Sequence, residues 1–299
     1  MIEVCFLGTS SMVPTKERNV QGIFLSYQNE GILIDCGEGT QRQMNILGIN
    51  RNRITRILIS HWHGDHVSGL IGLIQTLGNN PEQKTLYLYG PKGTKTKMKH
   101  LLQSCSFENK VDLQIKELPY QKLKTFFETE NFALQCAPLK HSIPCLGYSF
   151  IEKDRRTMLP QKLKALGVTG HLIGQLQKGK SVAVKGKTVT PDDVSTMTKG
   201  KKIAFVFDTL LCNNCYELAK DADVFISEST YSSSLEEKAT QYKHMTSQQA
   251  GIIANKANVK KLILTHLSQR YKTNEEVLED ARAVFPNVEV AFDFMKIKL

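Results

Sequence analysis

The sequence predicts an α/β protein built as an αββα sandwich, in which two sheet-and-helix halves are stacked face to face. Three observations predict this fold. Apolar, β-branched strands alternate with amphipathic helices along the chain. Several strands end directly in Asp, Glu or His. The second half of the chain repeats this plan, so the polar strand ends are expected at one edge of the sheets.

The elements follow in order from the apolar pattern. In the first half, strands are predicted over 2–7, 22–27, 31–34, 54–59, 86–89, 113–118 and 132–137, with helices over 41–47 and 67–77. Lys92, Lys95, Lys97 and Lys99 are predicted to line the exposed face of a further helix. In the second half, the predicted strands 203–207, 224–227 and 262–265 end at Asp208, Glu228 and His266.

The bulk composition is that of a globular protein. The chain has 299 residues, 41% of them hydrophobic and 23% charged, and no apolar run approaches the roughly 20 residues of a membrane span. The first eight residues lack the pattern of a signal peptide. We therefore expect a cytoplasmic protein without a membrane partner. Seven scattered cysteines fit reduced thiols in that compartment.

Cys212 and Cys215 form a CxxC pair. Without a second pair this spacing is weak evidence for zinc. Two half-buried thiols on one turn of a helix are the preferred interpretation, and no metal is assigned to them.

The positive charge is concentrated in one segment. The net charge is +10, and residues 153–202 carry 12 Lys and Arg against three Asp, a net charge of +9. Such a segment in an otherwise nearly balanced chain indicates a polyanionic partner, although a solvated surface is the simpler alternative. The segment contains no Phe, Tyr or Trp. Contact with the phosphates of a shaped nucleic acid is therefore favoured over stacking on unpaired bases.

A dense group of metal-ligand residues follows the strand over 54–59. His61 and His63 are two residues apart, so their imidazoles can converge on one ion. Gly64 lets the backbone bend so that Asp65 and His66 can reach a second ion. Packed or solvated histidines are the alternative, but four potential metal ligands within six residues argue against it.

Three isolated residues complete the candidate ligand set: His141, Asp208 and His266. Five histidines and two aspartates suffice for two zinc ions bridged by a carboxylate and a water. Paired metals about 3.5–4 Å apart produce a hydroxide near neutral pH and stabilise both oxygens of a phosphodiester displacement. No serine or cysteine nucleophile is needed.

This pattern resembles the metallo-β-lactamase superfamily, and over essentially its whole length the chain is similar to the ribonuclease Z family of tRNA 3′-processing endonucleases. The matching motifs beyond the His61–His66 cluster are Phe6-Leu7-Gly8-Thr9, segment 14–19, Ile34-Asp35-Cys36-Gly37-Glu38, Thr40-Gln41, Tyr89-Gly90-Pro91-Lys92-Gly93, Asp208-Thr209, Leu264-Thr265-His266 and Arg270-Tyr271. Trp62, Phe207, Ser227 and the stretch 168–171 depart from the family pattern without removing a ligand.

The resemblance implies roles for the ligands. His61, His63 and His141 would hold one zinc ion, Asp65, His66 and His266 the other, and Asp208 would bridge them. Asp65 would also accept the proton of the attacking water.

The resemblance further implies that His244 donates a proton to the leaving 3′ oxygen and that Glu228 orients it. By sequence alone His244 is better interpreted as a surface histidine. Asp35 and Glu38 are assigned to the structure around the site.

The family resemblance also implies how RNA is bound. A single domain spanning 1–299 is expected to carry a protruding basic arm within about 152–202 that holds the tRNA elbow. Substrate contacts are expected from Lys16, Arg18, Asn19, Lys178, Lys180 and Arg270. The family implies a homodimer in which the arm of one subunit holds the tRNA cut by the other.

The expected function is a zinc-dependent endoribonuclease with two zinc ions per subunit that removes the 3′ trailer from precursor tRNA and leaves a 3′-hydroxyl. A hydrolase of a small ester, sulfate ester or lactone on the same fold is the alternative, since it would share every ligand. A non-catalytic RNA-binding scaffold is a third hypothesis, but it predicts a lost ligand, and none is lost.

Overall fold

The fold consists of two large mixed sheets, two small two-stranded sheets and a set of short helices. The computed structural model describes residues 1–79, 85–119 and 121–299. The strands are β1 Ile2–Gly8, β2 Gly22–Tyr27, β3 Glu30–Ile34, β4 Ile54–Leu58, β5 Leu86–Gly90, β6 Leu113–Glu117, β7 Lys124–Glu128, β8 Phe132–Leu139, β9 Cys145–Glu152, β10 Arg155–Met158, β11 Val182–Val184, β12 Lys187–Val189, β13 Ser195–Thr198, β14 Lys202–Val206, β15 Val224–Glu228, β16 Leu262–Thr265, β17 Val288–Val290 and β18 Lys296–Lys298.

The α-helices connect these strands. They are α1 Thr40–Ile46, α2 Gly64–Val67, α3 Leu70–Leu77, α4 Thr94–Gln103, α5 Pro160–Ala165, α6 His171–Gln177, α7 Pro191–Val194, α8 Asn213–Ala219, α9 Glu236–Tyr242, α10 Ser247–Lys256 and α11 Glu275–Arg282. Among the described residues, the helices are all too short or too polar to cross a bilayer.

The chain divides into two compact units. The larger unit contains Met1–Phe126, Leu134–Phe150 and Lys202–Leu299, and the smaller unit contains Phe127–Ala133 and Ile151–Lys201. Each unit has its own apolar cluster.

The first large sheet has the strand order β18-β1-β2-β3-β4-β5-β6. Strands β18 to β3 pair antiparallel, and β3 to β6 pair parallel. Helix α3 packs on this sheet through one apolar face. The buried residues of that face are Leu70, Leu73, Ile74 and Leu77. Parallel pairing brings the carboxyl ends of β3, β4 and β5 to the same edge.

The second large sheet has the order β17-β16-β15-β14-β9-β8-β7. Strands β14 to β17 are parallel and pack against α8, α10 and α11 through a second apolar cluster. The two sheets face each other: the hydroxyl of buried Tyr148 on β9 donates to the carbonyl of Ile59 at 2.7 Å, and Tyr27 and Phe150 lie edge to face. The predicted αββα arrangement is confirmed.

Most predicted elements are present, and the helix predicted over 67–77 is confirmed for Leu70–Leu77, whereas its predicted start is wrong. The structure has two helices there, α2 and α3, separated at Ser68 and Gly69. The Gly69 amide donates to the Cys36 carbonyl, and a Cβ at Gly69 would lie 2.1 Å from the Gly37 carbonyl oxygen. The chain therefore turns against another backbone segment instead of continuing one helix.

Strand β9 was not predicted. Its sequence includes Gly147 and Ser149, which interrupt the apolar run, but both are fully buried. A Cβ at Gly147 would lie 2.5 Å from Leu218 Cδ1, so the glycine makes room for α8. Tertiary packing therefore explains why position 147 is a glycine.

The smaller unit is built from two antiparallel pairs, β10 with β13 and β11 with β12, together with α5, α6 and α7. Its buried residues are Leu163, Val168, Leu176, Val182, Val184, Val189 and Val194. A capping box at Thr190 and Asp193 begins α7. Lys178 and Lys180, just after α6, are exposed. The function of this unit as a tRNA-binding arm stays a prediction.

Candidate metal centre

The candidate ligands lie where strands of the larger unit end. His61 and His63 occupy the loop after β4, and Asp65 and His66 lie in α2. The remaining three ligands, His141, Asp208 and His266, follow β8, β14 and β16. The prediction that polar strand ends meet at one edge is confirmed, because these residues form two contiguous groups of potential ligands.

The first group contains His61, His63, His141 and Asp208. His61 Nε2 lies 3.0 Å from His63 Nδ1, and His141 Nε2 lies 3.2 Å from the same nitrogen. The Oδ2 atom of Asp208 is 3.5 Å from His61 Nε2 and 3.8 Å from His141 Nε2. Three imidazole nitrogens and one carboxylate oxygen therefore surround one point.

The second group contains Asp65, His66 and His266. Asp65 Oδ2 lies 3.4 Å from His66 Nε2 and 3.5 Å from His266 Nε2, and these two nitrogens are 3.2 Å apart. The other oxygen of Asp208, Oδ1, lies 3.5 Å from His66 Nε2 and 3.2 Å from His266 Nε2. Asp208 thus directs one oxygen toward each group.

Hydrogen bonds on the far side of the rings orient the ligands. His66 Nδ1 donates to Asp35 Oδ2 at 2.7 Å, and the Ser60 amide and hydroxyl donate to the same carboxylate. His141 Nδ1 donates to the Lys243 carbonyl at 3.0 Å. These contacts place the ring proton on Nδ1, so the inward Nε2 atoms carry lone pairs. Asp35 therefore has the supporting position expected from the sequence.

The donor set fits divalent metal ions. Inward nitrogens without protons repel one another at 3.0–3.2 Å unless a cation lies between them. Asp208 Oδ1 is buried and accepts no hydrogen bond within the described part of the chain. Imidazole nitrogens together with carboxylate oxygens are the ligands of zinc and related ions. The two groups could hold one ion each, with Asp208 shared.

The electrostatics of the site agree with this fit. Burial would raise the pKa of Asp208, but His266, His66 and His61 outweigh it and lower the pKa well below its usual value. Burial lowers the pKa of His61 and of His63. Burial would also lower the pKa of His66, but Asp208 and Asp35 reverse the effect and raise it.

His244 and Glu228 form a pair beside the second group. His244 Nδ1 lies 3.0 Å from Glu228 Oε2, and the Glu228 side chain has no exposed surface. The Thr209 amide and the Thr230 hydroxyl also donate to this carboxylate, each at 2.7 Å. Burial would lower the pKa of His244, but Glu228 and Asp208 raise it to about 9. The interpretation of His244 as a surface histidine is wrong, because only 14% of its side chain is exposed.

A cavity of about 720 Å³ opens over the centre. Asp65, His63, His141, Asp208, His244 and His266 line its floor, and Glu38 contributes to its wall. Exposed Met12 and Tyr242 form part of the lining and were not assigned from the sequence. Exposed apolar residues are common on any protein surface. Only their position at the cavity distinguishes Met12 and Tyr242 from other exposed apolar residues.

Thr230 was also missed. Its hydroxyl oxygen lies 2.7 Å from Glu228 Oε2, 3.0 Å from His266 Nδ1 and 3.3 Å from His244 Nδ1. It therefore connects the His244–Glu228 pair with a candidate metal ligand. Thr230 belongs to the Ser-Glu-Ser-Thr stretch that includes Glu228. A threonine after a buried strand does not indicate from sequence that it connects two functional groups.

The residues predicted to contact RNA lie outside the described cavity lining. Lys16 is exposed. Arg18 donates to Tyr271 and Asn274, and Asn19 Nδ2 donates to the Glu38 carbonyl. The Arg270 guanidinium lies 4.9 Å from the centre of the Tyr231 ring. Their contact with RNA stays a prediction, as does that of Lys178 and Lys180.

The chain is similar to known proteins over its whole length. A family model described as anti-Pycsar protein Apyc1 matches residues 2–158. The chain is 40% identical over 301 residues to a ribonuclease Z of Methanothermobacter thermautotrophicus, covering 100% of this chain and 97% of the relative. The solved short form of human tRNase Z matches with a TM-score of 0.74 and 27% identity, over 99% of this chain and 98% of that one. A metallo-β-lactamase fold protein of Bacillus subtilis matches with a TM-score of 0.70 and 17% identity, covering all of both chains.

Proposed function

The chain belongs to the ribonuclease Z family and has the metallo-β-lactamase fold, and on this premise we propose that it is a zinc-dependent endoribonuclease that removes the 3′ trailer from precursor tRNA. The cut would leave a 3′-hydroxyl on the tRNA. The observation that carries the proposal is the shared position of Asp208 between two ligand groups, beside a buried His244–Glu228 pair in one cavity.

The family and the donor set imply a divalent metal, and we propose two zinc ions per subunit. His61, His63 and His141 would hold one ion and Asp65, His66 and His266 the other, with Asp208 between them. When bound there, the ions would lower the pKa of the attacking water and stabilise the charge that develops on the phosphate.

Asp65 is proposed to accept the proton of the attacking water. It lines the cavity, and hydrogen bonds with His266 and His66 outweigh its burial and lower its pKa. His66 and His266 hold one of its oxygens in place. An oriented carboxylate directed at the substrate space is suited to general-base catalysis.

His244 is proposed to protonate the 3′ oxygen that leaves phosphorus. Its Nδ1 is held by Glu228, so the other ring nitrogen is available on the cavity side. Glu228 is itself fixed by Thr209 and Thr230, which prevents the pair from rotating. The pair supports RNA cleavage because an alkoxide leaving group needs a proton donor.

RNA binding by this chain is proposed to use the smaller unit. Lys178 and Lys180 are exposed there, and the surrounding segment carries most of the net charge of the chain. In the larger unit, Lys16, Arg18, Asn19 and Arg270 are also proposed to contact phosphates. We also propose a homodimer and a cytoplasmic location, where precursor tRNA would be available.

A small-ester hydrolase would use the same ligands and is the competing function. It would not need the His244–Glu228 pair in its present position or a basic segment. The deciding experiment is cleavage of a 3′-extended precursor tRNA by the wild type and by Asp65→Ala, with added zinc and with a chelator. One metal-dependent cut after the discriminator base, absent in the variant, supports the proposal. Turnover of a small ester without tRNA cleavage would support the competing function, and tight tRNA binding without any cut would support a scaffold.

A further inference from the structure

Cys212 and Cys215 form a close thiol pair outside the metal centre. Their Sγ atoms are 3.6 Å apart. Cys212 precedes α8 and Cys215 lies in its first turn. Groups of potential metal ligands within the described ranges all lie at the centre, and neither thiol belongs to one.

The two thiols differ in accessibility. Cys212 is half-buried and lines a cavity of about 430 Å³ together with Lys140 and Asn214. Cys215 has no exposed surface and packs in the core of the second sheet. The sequence-based expectation of two half-buried thiols is therefore wrong for Cys215. A small molecule can reach the pair only through Cys212.

The surroundings activate the accessible thiol. A hydrogen bond from the Cys215 thiol and the amides of Cys215 and Asn214 outweigh burial and lower the pKa of Cys212 to about 6. The same contact with Cys212, together with burial, raises the pKa of Cys215. These contacts favour the thiolate form of Cys212, and the thiolate is the form that attacks disulfides.

From this geometry we infer that Cys212 and Cys215 are a reversible dithiol–disulfide site that reacts with low-molecular-weight disulfides such as glutathione disulfide. The Cys212 thiolate attacks one sulfur of the small disulfide, whose S–S bond breaks and releases one thiolate. Cys215 then gives its proton to that thiolate, and its sulfur attacks Cys212 Sγ. The second small thiol leaves as the protein disulfide forms. In total, one small disulfide is reduced to two thiols while two protein thiols are oxidised to one disulfide.

The distance between the thiols suits this second step. A disulfide needs an S–S separation of about 2.05 Å, so the sulfurs must approach by about 1.5 Å from their contact distance. Side-chain rotation and a small adjustment of the loop before α8 can provide this movement. The mixed disulfide is therefore expected to be short-lived in the wild type.

The pair is connected to the catalytic centre through Thr209. Thr209 lies three residues before Cys212, and Lys140 lines the same cavity as Cys212. The Thr209 amide donates to Glu228, and its hydroxyl oxygen accepts from the Lys140 amide at 3.0 Å. Thr209 adjoins Asp208, and Lys140 adjoins His141. Movement of Cys212 toward Cys215 is therefore expected to shift the short segment that follows Asp208 and, through Thr209, the loop that carries His141. This coupling rests on the proposed function, and it predicts slower RNA cleavage in the oxidised state.

The test uses the full-length, zinc-loaded protein incubated with glutathione disulfide, followed by thiol trapping and mass spectrometry. The wild type is expected to form a Cys212–Cys215 disulfide without a retained glutathione. The variant Cys215→Ser is expected to keep one glutathione on Cys212, and Cys212→Ser to form neither product at this site. The matched control is Cys105→Ser, which removes the exposed thiol elsewhere and should leave disulfide formation unchanged.

Precursor tRNA cleavage is measured on the same samples. Oxidation is expected to slow the wild type and Cys105→Ser several-fold, and a phosphine reductant should restore the rate. Cys212→Ser should be insensitive to the treatment. Glutathione retained on wild-type Cys212, or no reaction at that residue, would overturn the dithiol site. A disulfide without any change in rate would overturn the coupling. If the reduced protein does not cut precursor tRNA, the proposed function fails, while the mass measurement still decides the thiol chemistry.

Discussion

The Nδ1 atom of His244 lies 3.0 Å from Oε2 of Glu228, a carboxylate without exposed surface. Glu228 ends β15 and His244 lies in the loop before α10, and both lie close to the Thr230 hydroxyl. The pair lies beside the seven candidate metal ligands, and His244 also forms a group of potential ligands with Asp208 and His266. Metal content therefore has to be measured together with the cleavage rate to distinguish proton donation from metal binding.

Replacing Glu228 by Gln should reduce catalysis without loss of metal. The amide keeps the shape of the side chain but removes the charge that orients His244, and loss of general acid catalysis costs about 10²- to 10⁴-fold in rate. We expect kcat for precursor tRNA cleavage to fall in this range, with unchanged metal content. Glu237→Gln, on the exposed surface of α9, is the control. Loss of bound metal in Glu228→Gln would contradict this assignment.

Replacing Asp208 by Asn should weaken both metal sites together. Each oxygen of Asp208 faces a different ligand group, and the amide offers only one good acceptor. Metal bound only to the native state stabilises it by about 2.7 kcal/mol at 100 times the dissociation constant. We expect the wild type to lose thermal stability on chelation and recover it with zinc. In Asp208→Asn the zinc-dependent shift in Tm should shrink strongly, whereas a shift equal to that of the wild type would refute the shared position.

Replacing Asp35 by Asn should lower metal affinity through His66. Asp35 accepts the Nδ1 proton of His66, and partners of this kind typically contribute 10- to 100-fold in metal affinity. Asn is the suitable substitution because the backbone of Asp35 has a φ of 57°, a conformation that Asn tolerates well. Competition with a chromophoric chelator measures the dissociation constant, and exposed Asp112→Asn is the control. Equal affinities for the variant and the wild type would exclude this role of Asp35.

Replacing Lys178 and Lys180 by Ala should weaken tRNA binding but spare the chemistry. Each lost phosphate contact reduces the slope of log affinity against log salt by about one, so the slope should fall by about two. Hydrolysis of a small phosphodiester should be unchanged. The matched control is Lys95→Ala with Lys97→Ala, two exposed lysines of α4, as predicted from the sequence. Equal loss of both activities in Lys178→Ala with Lys180→Ala would refute the assignment of RNA binding to this segment.

Two glycines three residues apart should respond oppositely to replacement by Ala. A Cβ at Gly69 would lie 2.1 Å from the Gly37 carbonyl oxygen, so Gly69→Ala should destabilise the fold by about 1–3 kcal/mol. Gly72 lies on the exposed side of α3 with open space around it, so Gly72→Ala should stabilise the fold by about 0.5–1 kcal/mol. Urea unfolding measures both free energies. If Gly69→Ala left the free energy of unfolding unchanged, the close backbone contact at Gly69 would not be the reason that α2 and α3 are separate helices.

The sequence predicted most strands because apolar, β-branched runs have a local signal. It failed where tertiary packing decides the residue type, as at Gly147 in β9 and at Gly69 between α2 and α3. It likewise identified the ligands that are clustered at 61–66. The isolated residues His141 and His266 were candidates from the sequence, but their assignment to particular ions and the role of His244 depended on the family resemblance, because a single histidine carries little information about its neighbours.

By itself the sequence determined the ligand chemistry and the strand ends from which the ligands project, since both follow from residue type and local periodicity. Only the tertiary structure shows which candidate ligands lie close together. His66 and His266 meet across 200 positions of the chain. Tertiary packing also determines that Cys215 is buried while Cys212 is only partly buried. These contacts depend on how the two sheets and their helices pack. Packing brings together residues that are far apart in the chain, and the distance between them along the sequence does not indicate whether they are in contact.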